Sequence, residues 1–226
     1  MPLNRTRTLA AAGVLAIVGG CNGAPSASPT QGAQPNPVFQ ATATPRATAT
    51  PLWPAPANAM ELTVEAGLVP ETKEFLEFHV HAHLDVFVDG QPALVPAGIG
   101  ISIVDPNVHV FTESDGSFSY GGIETPCATP CISPLHTHWE VGVIHTESAT
   151  QTPNTLGQFF VEWDVALSES CVGEHCAPDE EIAFYVNGEP YTGDPAAIEL
   201  ADMTEIAIVI GTPPAEIPST ADFSLP

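Results

Sequence analysis

Six of the chain's eight histidines fall into two short stretches, His79-Val80-His81-Ala82-His83 and Leu135-His136-Thr137-His138-Trp139-Glu140-Val141-Gly142-Val143-Ile144-His145-Thr146-Glu147. Neutral imidazole is the commonest protein metal ligand, and several imidazoles converging on one spot repel one another when protonated unless a metal ion replaces the protons. Spacing decides whether they converge. Alternation in the first stretch puts His79, His81 and His83 on one face of a strand, with Asp85 next in line. The second stretch alternates on both sides of a two-residue turn at Glu140-Val141, which sets His136 opposite His145 and His138 opposite Val143. His136, His138 and His145 then share a face, and Glu147 continues it.

This pattern predicts a metal site on a β scaffold, with His81, His83, His136, His138 and His145 as ligands and His79 in reserve. Asp85 and Glu147 stand behind them as acceptors that fix the imidazole tautomers. His109 and His175, alone in their segments, are left out. Imidazole-rich donor sets suit Cu(II) first and Zn(II) second, since Cu(II) outcompetes the other divalent ions wherever geometry permits. The only methionines beyond the first residue are Met60 and Met203, away from the histidines, which argues against Cu(I). No spaced acidic loop marks a calcium site. Binding for capture, delivery or sequestration is the leading reading. A metal-dependent hydrolase or oxidoreductase on the same histidines, with Glu147 or Glu140 as base, is the alternative. A third reading is a surface interaction module without metal. No nucleophile elbow, phosphate loop or His-Glu-x-x-His helix occurs.

The elements that must position these residues are legible around them. Val86-Phe87-Val88-Asp89-Gly90-Gln91-Pro92 repeats as Phe184-Tyr185-Val186-Asn187-Gly188-Glu189-Pro190, and Asp-Gly and Asn-Gly are tight hairpin turns. Each copy closes with a further strand, Asn107 to Thr112 and Glu205 to Ile210. Only the first copy carries the histidine series. Between them Leu156, Phe159, Phe160, Trp163 and Leu167 form one apolar stripe behind a Thr155/Gln158 capping box, which predicts a helix near Thr155 to Leu167. The expected fold is mainly β, an antiparallel sandwich or open barrel with that one helix and the hairpin repeat.

Arg5 and Arg7, the apolar run from Leu9 to Val18 and then Gly19-Gly20-Cys21 describe an export signal over residues 1–21. Val18-Gly19-Gly20-Cys21 resembles the lipobox of bacterial lipoproteins, and the resemblance implies a lipid on Cys21 that anchors the protein to the outer face of the cell membrane. Residues 22–58, rich in Pro, Ala and Thr, predict a disordered stalk, and residues 59–226 a single domain. In an exported chain Cys127, Cys131, Cys171 and Cys176 predict disulfides, the two local pairs favoured. A four-thiolate zinc site, or Cys131 as a copper ligand beside His136, are the competing readings.

The formal net charge is −23, and of the four Lys and Arg residues only Lys73 lies in the domain. Such a surface repels phosphate backbones, which excludes nucleic acid as a partner, and attracts cations.

The His-x-His-x-His strand, the Leu-His-Thr-His…Gly-x-Ile-His-x-Glu segment and the Leu-Gly-x-Phe-Phe helix together resemble a group of uncharacterised exported bacterial and archaeal proteins, from Phe78 to Trp163. Those carry Asp where this chain has Trp139. Phe78-His79-Val80-His81 is also similar to the copper-binding strand of copper/zinc superoxide dismutases. Glu77 and Leu84, however, stand where that family has flanking glycines, and the domain has no arginine to guide an anion.

Overall fold

The computed structural model describes residues 50–223. The export signal, Cys21 and the stalk up to residue 49 lie outside the described residues. Composition places residues 50–58 with the expected stalk, whereas Trp53 belongs to the main hydrophobic core, and its backbone carbonyl accepts the Trp163 indole N–H at 2.9 Å.

The strand β1 (Phe78–Val88) is the axis of the sheet. Along one edge it runs parallel to β11 (Thr204–Ile210), with His83 beside Glu205 and Val88 beside Ile210. Its other edge is shared antiparallel by β6 (Val143–Ser148) over the histidine half and β2 (Gln91–Ala93) over the rest. Beyond β6 lies β5 (Leu135–His136), and beyond β11 lie β9 (Ile182–Val186) and β10 (Glu189–Tyr191). The result is a mixed seven-stranded sheet. Two small ladders stand apart from it: β3 (His109–Thr112) with β4 (Phe118–Gly121), and β7 (Cys171–Val172) with β8 (His175–Cys176).

The expected mainly β fold is present as a mixed seven-stranded sheet with two small hairpins and two short helices, and no closed barrel forms among the described residues. Two observations account for this. The second copy of the hairpin repeat lies in the same sheet as the first, and its closing strand β11 runs parallel to β1. The first copy's closing segment, at His109–Thr112, folds onto β4 instead of joining the sheet. The repeat itself stands as read: Asp89 and Asn187 take φ of 49° and 51°, each followed by a glycine at positive φ, the conformation of tight hairpin turns.

Helix α2 (Leu156–Glu162) starts where the capping box places it, with Thr155 and Gln158 bonded reciprocally. A short helix α1 (Ala59–Glu65), not foreseen in the sequence, packs beside it. Leu156, Phe159, Phe160 and Trp163 bury the stripe against Ala82, Leu84, Val86, Ile144, Phe184, Ile206 and Ile208. Each such aliphatic or aromatic side chain contributes about 1.5–3 kcal/mol by leaving water. A second cluster, Ile101, Val108, Ile123 and Ile132, closes around the Cys127–Cys131 disulfide. Cys171 and Cys176 join across the β7–β8 ladder. Both local pairs thus form, and the four sulfurs are not thiolate ligands. No described helix is long and apolar enough to cross a membrane.

Candidate metal centre

Alternation along β1 sends Ala82, Leu84 and Val86 into the core and leaves His79, His81, His83 and Asp85 on the opposite face. β6 answers in register: His79 lies beside Glu147 and His81 beside His145. β5 adds His136 beside His145. The ladder then stops, because Thr137 turns its backbone to another segment. Its N–H donates to Ile99 O and its carbonyl accepts from Gly98 N–H. His138 is thus held in a longer loop rather than a two-residue turn, its carbonyl accepting from Tyr120 N–H. It still reaches the site.

At the centre is Glu147, 4% exposed, whose Oε1 lies 3.1 Å from His145 Nδ1 and from His79 Nε2, and 3.9 Å from the Nε2 atoms of His136 and His138. His136 and His138 meet Nε2 to Nε2 at 3.0 Å. Behind them, His136 Nδ1 lies 2.8 Å from Ser133 O, and His138 Nδ1 2.5 Å from Tyr120 O. A carbonyl oxygen only accepts, so both Nδ1 atoms carry the hydrogen, and in the neutral rings both Nε2 atoms present lone pairs to each other. Two imidazole nitrogens on one Cu or Zn ion, each about 2.0–2.1 Å from it, stand roughly 2.9–3.4 Å apart at ligand angles near 90–110°. The observed separation falls in that range. His145 Nε2, His81 Nε2 and Glu147 Oε2 are buried without hydrogen-bond partners.

Electrostatics prepares the rings unequally. Burial, with His138 alongside, holds His136 well below its ordinary pKa. Burial likewise lowers His145 to about 4, although Glu147 opposes it. Burial also works against charge on His138, yet the Glu147 carboxylate and the Tyr120 carbonyl outweigh it and raise that pKa. Burial opposes ionisation of Glu147, but the His138 and His145 imidazoles beside it keep its carboxyl far below the usual range and ionised. The group His136, His138, His145 and Glu147 has the donor set and spacing to hold a metal ion.

Not every predicted residue comes here. His79 reaches Glu147 at the centre and also groups with His81 against His145, where the His81 and His145 rings meet edge to face at 4.5 Å between centroids. His83 and Asp85 stand at the other end of the face with Glu205. Glu147 lies among the imidazoles with Oε1 facing His145 Nδ1, while the carbonyls of Ser133 and Tyr120 face Nδ1 of His136 and His138.

Two buried acids went unread in the sequence. Glu162 is fully buried on α2, with Oε1 2.5 Å from Ser133 Oγ, and burial pushes its carboxyl up to about 8. Its place three residues after Phe159, on the apolar side of the helix, was the available signal. Glu205 had none before the β1–β11 pairing was known. A cavity of about 300 Å³ opens onto His79, His138, His145 and Glu147, walled by Leu76 and Phe111 among others. No family model, curated protein or solved structure matches the chain.

Proposed function

We propose that the domain binds a transition-metal ion among His136, His138, His145 and Glu147, Cu(II) first and Zn(II) second, with His79 and His81 at the mouth of the site. Lipid on Cys21 holds the protein at the outer face of the cell membrane, where it captures, delivers or sequesters the ion. The observation that supports this best is the 3.0 Å approach of two Nε2 atoms whose rings each commit their Nδ1 hydrogen to a carbonyl. That approach requires a cation between or beside them. A proton on His138 is the competing occupant, and it leaves His145 Nε2 and Glu147 Oε2 buried without hydrogen-bond partners. Two disulfides fit an extracytoplasmic setting.

The experiment is elemental analysis of the protein after exposure to mixed first-row divalent ions and removal of the excess. About one copper per chain is expected, or one zinc when copper is withheld. The His136→Ala/His138→Ala double substitution should abolish tight retention while the fold persists by circular dichroism. Retention of neither ion at neutral pH overturns the proposal.

The cavity over the site favours a second reading, a metal-dependent enzyme in which a substrate occupies that space and the open coordination position. Turnover of hydrolysable or redox substrates by the copper- or zinc-loaded protein, lost in the same double variant, separates it from binding alone.

A further inference from the structure

The far end of the histidine face poses a charge problem of its own. His83 and Glu205 are register partners on the parallel strands β1 and β11, so their side chains emerge side by side, and Asp85 follows two residues on. His83 Nδ1 lies 2.9 Å from Glu205 Oε2 and 3.8 Å from Asp85 Oδ2. On the other side of the ring, Nε2 lies 2.8 Å from the carbonyl of Val141, to which it must donate. The neutral ring therefore turns a lone pair toward two carboxylates. Glu205 is 1% exposed, yet neither of its oxygens makes a hydrogen bond, and neither does His83 Nδ1 despite its closeness.

Balancing the charge from within takes protons on both His83 and Glu205. Protonating His83 offsets one of two carboxylates, and the only Lys or Arg among the described residues, Lys73, sits over the Phe75 ring, 4.6 Å from its centroid. A divalent cation cancels both charges and supplies the partner that the Glu205 oxygens lack.

We infer that His83, Asp85 and Glu205 form a second metal site, separate from the His136 centre, for a divalent ion that accepts mixed nitrogen and oxygen ligands. One imidazole and two carboxylates make a harder donor set than the imidazole cluster and suit Mn(II) or Zn(II), with water completing the shell. Asp85, about one-third exposed, opens the site to solvent and gives the ion a way in. The two centres differ in ligand chemistry, so one strand face presents an imidazole-rich site at one end and a carboxylate-rich site at the other. This inference does not depend on the His136 centre binding anything.

Mn(II) is the probe, because it stands lowest among the first-row divalent ions for imidazole-rich sites and suits carboxylates. Electron paramagnetic resonance of free Mn(II) during titration of the whole protein should report about one bound ion per chain. The His136→Ala/His138→Ala variant should keep that ion. Glu205→Gln should weaken Mn(II) binding at least about tenfold, as loss of a ligand does. Asp85→Asn, at a partly exposed position that the fold tolerates, should weaken it in the same direction and decides the matter where Glu205→Gln fails to fold. Absence of Mn(II) binding, or binding lost with His136 and His138 and kept without Asp85, overturns the second site.

Discussion

The His136 centre owes its expected pH behaviour to one imidazole. His136 and His145 are held neutral by burial, the latter down to about pH 4, and Glu147 stays ionised, so His138 is the ligand that carries a proton near neutrality. A metal ion must displace that proton, and affinity therefore falls as pH drops through the raised His138 value, above the ordinary 6.5. Because the other two rings carry no proton to lose, the logarithm of the affinity should change by about one per pH unit between roughly pH 4 and 6.5. Three ordinary histidines titrating together would give a slope near three from about one pH unit below their common value. Competition titrations against a chelator of known affinity across pH 5 to 8 measure the slope, and a value near three would show that burial does not tune the rings as described. Glu147→Gln tests the same geometry from the other side. It removes the anion within 3.9 Å of all four surrounding imidazoles and should weaken metal binding at least about tenfold.

At the scale of elements, two contacts carry most of the positioning. Gly121, at the end of β4 with φ of 146°, leaves the space in which His138 stands, and a Cβ there would lie 2.6 Å from His138 Nδ1. Gly121→Ala should push the ring off the Tyr120 carbonyl and cost at least about tenfold in metal affinity, with circular dichroism unchanged. Unaltered affinity would mean that the ring can move without consequence. Helix α2 contributes Glu162 beneath Ser133, the residue whose carbonyl holds His136. Its folded pKa of about 8 lies above the 4.5 of an unfolded glutamate, so the folded state binds its proton more tightly. Stability from this group is fully present below about pH 4.5 and is lost as pH rises through 8. At about 1.4 kcal/mol for each tenfold difference in proton affinity, the loss reaches up to roughly 5 kcal/mol. Glu162→Gln removes the ionisation while keeping the shape. It should flatten that part of the pH–stability curve and stabilise the protein at pH 8 and above in urea titrations; an unchanged curve would place the proton elsewhere.

Over the whole molecule, the sequence carried the local features. Histidine alternation in β1, the His136–His145 register, the hairpin repeat and the capping box of α2 all depend on neighbours in the chain and were readable for that reason. Which strand lies beside which is not local. The parallel β1–β11 pair could not be read from either strand, and it is this pair that draws His83 toward Glu205 and away from the cluster expected to include it. The turn of Thr137 toward Ile99 likewise lengthened a loop that alternation alone had closed at Glu140-Val141.

The remaining consequence belongs to the charge of the whole chain. The chain's net charge is −23, and with Lys73 the one Lys or Arg in residues 59–226, this part of the chain attracts cations from well outside the site. Attraction of that kind acts on encounter, over a screening length of about 10 Å at 0.1 M salt that shrinks to about 3 Å at 1 M. The dissociation step is governed mainly by the short ligand contacts, which salt screens much less because they are buried. Capture of free Zn(II) in stopped-flow should therefore slow at least several-fold between about 10 mM and 500 mM salt, while the off-rate changes little. A cation delivered inside a negatively charged chelate should show the reverse dependence, since the chelate is repelled and salt relieves the repulsion. If free ion and anionic chelate respond alike, the acidic surface has no part in loading, and its charge serves something other than metal capture.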